Sequence, residues 1–176
     1  TAQFNGIIGG TRTLGAIAIT GALDLNAAIT NASSLSVSTT SDLGANVTTS
    51  GTQTYTGAVT LSGGDRTLTG STITNSSTIT GATFSLTETG NAVINGAISG
   101  VNVLSISGTS TIGADVSTTG TQTYTGAVTL SGGDRTLSGS TITTNDTLVG
   151  DTNALTISGN AVFGDGITDR VSGVTT

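Results

Sequence analysis

Apolar and polar residues alternate over short spans along the whole chain: Val59 and Leu61, Phe84 and Leu86, Ala92 and Ile94, Val101 and Val103, Leu104 and Ile106, Leu155 and Ile157. Period two is the signature of a strand with one buried face. Gly or Asn interrupts every span within a few residues, as at Gly63-Gly64, Gly70, Gly81, Gly90-Asn91 and Asn95-Gly96. These residues supply the positive-φ positions that tight turns require. No stretch keeps apolar residues at helical spacing, and the abundant Thr and Gly both disfavour helix. The pattern predicts many short strands and no helix.

The spans are themselves repeated. Residues 44–74 read GANVTTSGTQTYTGAVTLSGGDRTLTGSTIT and residues 113–143 read GADVSTTGTQTYTGAVTLSGGDRTLSGSTIT, a match at 27 of 31 positions at an offset of 69. The same offset aligns Leu86–Val93 with Leu155–Val162, and Leu35-Ser-Val37 with Leu104-Ser-Ile106. The chain therefore divides into a partial copy over 1–43, a full copy over 44–112 and a second partial copy over 113–176, all within a single domain spanning 1–176. Inside the unit, Tyr55-Thr-Gly-Ala58 resembles Ile79-Thr-Gly-Ala82 at an offset of 24. Three coils of roughly 23 residues would fill one unit, and periods of that size mark stacked repeat architectures. The expectation is an all-β parallel β-helix, a β-solenoid of about seven to eight coils with three coils per 69-residue repeat, forming a rod about 35 Å long.

Coils of this kind stand only by stacking. About five inward apolar side chains contribute ~1.5–3 kcal/mol each when fully buried. Ordering roughly 23 backbones costs ~1–2 kcal/mol each. A lone coil does not fold; neighbours must complete its hydrogen bonds and cover its core.

Composition sharpens the picture. Charged residues are 8% and aromatic residues 3%, with no Pro, Cys, Met, Trp, Lys or His. Disordered segments favour charge and Pro, whereas this chain is rich in β-branched residues suited to strands. Four scattered arginines against a net charge of −6 offer nothing to a phosphate backbone, so nucleic acid is excluded as a partner. No apolar run approaches the ~20 residues of a membrane-spanning helix. Stacked strands lie ~4.8 Å apart, so a charge repeated in every coil would build a column of like charges. Neutral Thr, Ser and Asn avoid that cost. The chain begins at Thr1, which reads as a processed protein or an excised portion of a longer one.

Candidate chemistry is sparse. Without His, Cys or Lys, the nucleophile–base arrangements built on them are excluded, and the chain reads as a non-enzyme. A carbohydrate-active β-helix, which needs paired carboxylates ~5–9.5 Å apart, is the remaining enzymatic alternative. No catalytic residue and no cofactor is assigned. Ser62-Gly-Gly-Asp65 and its copy ending at Asp134 resemble part of a calcium-binding nonapeptide, which makes Asp65 and Asp134 the calcium candidates, although a turn capped by the carboxylate accounts for both. Thr52, Thr54 and Thr56, with their copies Thr121, Thr123 and Thr125, place alternate threonines on one strand face. They are the candidate binding face for a glycan or for ice, against the plainer reading of solvent-facing strand threonine. Asn31, Asn46, Asn75 and Asn145 fit the glycosylation acceptor pattern, which a chain this rich in Asn, Ser and Thr meets by chance.

The phrasing GTQTYTGAVTLSGGDRTLTGSTIT resembles the shaft repeats of filamentous haemagglutinin-like exoproteins and autotransporter-type adhesins of bacterial surfaces. The resemblance implies a right-handed parallel β-helix, secretion to the bacterial cell surface or beyond, and a role in adhesion, aggregation or matrix. Neither an N-terminal secretion domain nor a C-terminal translocator barrel is visible. The absence of caps at the ends leaves two expectations, a slice of a longer solenoid or copies that associate end to end into a fibre. The expected function is an extracellular structural shaft or fibre subunit, with a host surface, a neighbouring cell or a glycan as further partner, and a surface binding module as the alternative.

Overall fold

The computed structural model describes residues 1–175. Its organisation is clearest between Ser41 and Leu61. Strands Ser41–Leu43, Val47–Thr49, Gln53–Tyr55 and Val59–Leu61 follow at even spacing, and each has its middle side chain outward and its flanking pair buried. A short corner separates each strand from the next. Three such sides close one turn, because Ser41, which opens the first strand of this run, pairs with Val59, which opens the fourth. The pairings are parallel, and the 21 strands form one continuous sheet wound into a β-solenoid, with no helix among the described residues.

The first side stacks Ala2, Leu23, Ser41, Val59, Ile79, Ile98, Val116, Leu137 and Ile157 in one inward column. These are nine levels, and a turn averages ~19 residues. At ~4.8 Å per level the stack is about 43 Å tall. The second side runs through Ile29, Val47, Leu68, Glu88, Ile106, Tyr124, Thr144 and Phe163. The third runs through Leu35, Gln53, Ile73, Ala92, Ser110, Val128, Leu148 and Val171.

The parallel solenoid is as expected, but its winding is not. The seven to eight longer coils expected from the repeat are replaced by nine shorter turns, and the register of three coils per repeat does not hold. Val59 belongs to the first side, whereas its copy Val128 belongs to the third. Gln53 moves likewise from the third side to the second, at Gln122. One sequence unit therefore covers eleven sides, which is three and two-thirds turns. Successive copies are related by a screw, not by translation alone. The similarity of Tyr55 and Ile79 arises because the two stand four sides apart along the chain. Both precede a corner, yet Ile79 stacks on Val59 and Tyr55 stacks on Asn75.

The inner wall is mostly Leu, Ile and Val at 8% exposure or less. Gly63 and Gly64 adopt φ of 68° and 143° at their corner, as the punctuation predicts. Gly81 does not. The positive φ values fall on Ala82 (50°) and Thr83 (75°), and on their copies Asp151 (49°) and Thr152 (69°). Gly81 is needed for space: a Cβ there would collide with the Val101 backbone.

Candidate functional site: the side-chain ladders and the two open ends

Because each strand's middle residue faces outward, the stack converts sequence into vertical ladders. On the third side Ser36, Thr54, Thr74, Val93, Thr111, Thr129 and Val149 follow one another in register. On the second side the ladder is Thr67, Thr87, Ser105, Thr123, Thr143 and Val162. Both are uncharged. The structure thus divides the candidate threonines: Thr52, Thr54 and Thr56 lie on the third side, and Thr121, Thr123 and Thr125 lie on the second. Thr54 and Thr123 are half-buried within their ladders and the flanking four are exposed. The two runs do not build one common face, because the repeat turns by one side between copies.

The residues between those threonines are not among the sequence candidates, although the alternation that sends Thr outward sends Gln and Tyr inward. Gln53 and Tyr55 are fully buried. Gln53 Nε2 donates to Thr69 O at 2.7 Å and Val47 O at 3.3 Å, and Tyr55 Oη donates to Gln53 Oε1 at 3.0 Å. The copy repeats this: Gln122 Nε2 donates to Ser138 O at 2.7 Å and Tyr124 Oη to Gln122 Oε1 at 2.9 Å. Each amide thus satisfies a carbonyl where the sheet bends.

Asp65 and Asp134 serve the backbone. Asp65 Oδ1 accepts from Ser85 N and Asp134 Oδ1 from Ala154 N, both at 2.8 Å. The adjacent guanidinium groups bind corners too, Arg66 at Ser62 O and Arg135 at Ser131 O. Asn46 Oδ1 and its copy Asp115 Oδ1 accept from Thr67 N and Thr136 N, an exchange that changes charge and keeps the role. Among the described residues, no group of three or more His, Cys, Asp or Glu side chains is gathered in metal-binding distance. Of the acceptor-pattern asparagines, Asn75 is buried. A surface depression lined by Thr13, Asn31, Ala32, Thr48, Thr49 and Ser50 offers hydroxyls and one carboxamide.

One carboxyl lies inside. Glu88 is fully buried on the second side, and Asn75 Nδ2 donates to its Oε1 at 2.9 Å. Burial pushes the Glu88 carboxyl up to about 7, with the Asn75 hydrogen bond pulling the other way. Burial also drives the hydroxyls of Tyr55 and Tyr124 far above their usual range, and the Glu88 charge adds to this.

The two ends are unlike the walls. Among the described residues, Leu155–Phe163 pairs only with Arg135–Thr144, and Val171–Ser172 only with Leu148–Val149. At the opposite end, Ala2–Phe4 pairs only with Leu23–Leu25, and Leu14–Ile19 only with Ile29–Val37. The exposed large hydrophobic side chains among the described residues all lie in these outer coils: Ile7 and Leu14 at one end, Val162, Phe163, Ile167 and Val171 at the other.

The fold defines the class: a three-sided parallel β-solenoid built from an internal sequence repeat. No family model, curated protein or solved structure matches the chain.

Proposed function

We propose that the chain is an extracellular structural shaft, a β-solenoid segment of a bacterial surface or matrix adhesin whose copies stack head to tail. The observation that carries this reading is a stack of nine parallel turns whose second and third sides present uncharged, hydroxyl-rich ladders, with an unpaired edge on the outermost described strands. An open edge of a parallel sheet is a template for a further strand. A second copy in the same orientation continues each column, and contacts of this head-to-tail kind generate open filaments. The walls then face whatever neighbouring surface or glycan the shaft meets, with hydroxyl-rich second and third sides and a first side on which Asp42 stacks on Asp24. The resemblance of GTQTYTGAVTLSGGDRTLTGSTIT to adhesin shaft repeats supports the same role and location.

Sedimentation over a wide concentration range, with negative-stain imaging, tests it. The expected result is rods of one solenoid's width whose lengths are multiples of about 43 Å, shortened by Phe163→Asp. A species that stays monomeric at every concentration overturns the stacking.

A further inference from the structure

The buried pair Glu88 and Asn75 leaves two atoms without partners. Glu88 Oε2 and Asn75 Oδ1 are both enclosed and neither accepts a hydrogen bond, although Asn75 Nδ2 and Glu88 Oε1 are joined at 2.9 Å. An ionised carboxylate cannot mend this, because both orphaned atoms are acceptors. A carboxylic acid can: its Oε2–H supplies the donor that Asn75 Oδ1 lacks. The result is a closed acid–amide pair with two hydrogen bonds and no net charge.

We propose that Glu88 and Asn75 form such a neutral pair and make the middle of the solenoid pH-sensitive, closed while Glu88 keeps its proton and loosened when it loses it. The surroundings offer no counter-charge. Of the strands packed on Leu86–Ile94, Leu104–Ile106 and Ser110–Ile112 carry no ionisable residue. Arg66–Asn75 carries Arg66, whose guanidinium is engaged at the Ser62 carbonyl. Tyr55 stacks on Asn75 and Tyr124 stands two levels from Glu88 in the same inward column, both neutral and both made harder to ionise by a charge on Glu88.

The chain contains its own comparison. At the next copy of the repeat, Asn75 becomes Thr144 and Glu88 becomes Ile157. The amide and the acid leave together, as partners do, while Leu86, Thr87, Gly90, Asn91, Ala92 and Val93 are retained as Leu155, Thr156, Gly159, Asn160, Ala161 and Val162.

The sign follows from linkage. The folded chain holds the Glu88 proton to higher pH than the unfolded chain does, so the pair's contribution is full below the ordinary carboxyl range. It is lost as pH rises through about 7.

Glu88 is the single glutamate of the sequence, so labelling Glu with carbon-13 at its side-chain carboxyl gives one resonance. The proposal expects that resonance in the folded protein to titrate near neutrality, and titration in the ordinary carboxylate range overturns it. Urea unfolding between pH ~5 and ~8.5 supplies the second readout, with the folding equilibrium constant of the unaltered protein expected to fall on the order of a hundred-fold. E88Q, which keeps both hydrogen bonds without a proton to lose, and the double variant N75T/E88I, which installs the residues of the other copy, are expected to show no such fall. An equal fall in both variants assigns the pH dependence elsewhere and overturns the proposal. Should a variant fail to fold, the resonance of the unaltered protein still decides.

Discussion

Gln53 and Gln122 are the same residue of the repeat, make the same hydrogen bonds, and stand on different sides of the solenoid. Their stacked neighbours are copies too: Gln53 sits between Leu35 and Ile73, and Gln122 between Leu104 and Ile142, the same Leu and Ile of the repeat. The local arrangement is retained because the next turn repeats with it: Gln53 Nε2 reaches Thr69 O there, and Gln122 Nε2 reaches the equivalent Ser138 O. Thr49, Gln53 and Tyr55 carry their bonding pattern intact to Thr118, Gln122 and Tyr124.

The buried amide–phenol contact is the first place to test this. Tyr55→Phe removes one hydroxyl and leaves Gln53 Oε1 without its donor. An unsatisfied buried acceptor costs about 1–3 kcal/mol. Urea unfolding is expected to show a loss of that size, and Tyr124→Phe to show a similar one.

The same tyrosines report on the core optically. They are the only two in the chain, and both are fully enclosed. Burial raises their ionisation far above the ordinary phenol range. Tyrosinate absorbance is therefore expected to appear only together with alkaline unfolding, in a single cooperative step. A separate, earlier titration would place a hydroxyl in water.

Gly81 and Ala82 separate two uses of small residues. Gly81→Ala forces a methyl against the backbone of Val101 and is expected to destabilise by about 1–3 kcal/mol. Ala82→Gly relieves a left-handed conformation while adding freedom to the unfolded chain. These effects oppose, so its midpoint of unfolding is expected to stay close to that of the unaltered protein.

Much of this architecture is legible in the residues alone. Alternation at Val59 and Leu61 marks a strand, and a long repeat without helix and with little charge implies stacked coils. The length of a turn is hidden for a physical reason. Every side presents the same inward–outward–inward triplet followed by a corner, so any whole number of sides looks like a period, and four sides imitate a coil. Only the hydrogen-bonded register distinguishes them. Gly81 reads as a turn angle in the sequence because composition does not say whether glycine supplies an angle or a space. Glu88 is equally readable, two positions beyond the inward Leu86, but its pairing with Asn75 is a contact between sides of successive turns.

The turn length is open to direct test because the chain contains no cysteine. Thr54 and Thr74 are cross-strand partners in register, at a strand spacing of ~4.8 Å that a disulfide spans. Mild oxidation of Thr54→Cys/Thr74→Cys is expected to close the bond without loss of stability, while Thr54→Cys/Ser77→Cys stays open. Ready closure at Ser77, where the longer coil would place the partner of Thr54, with none at Thr74, would contradict the three-sided winding and the one-side rotation of the repeat that follows from it.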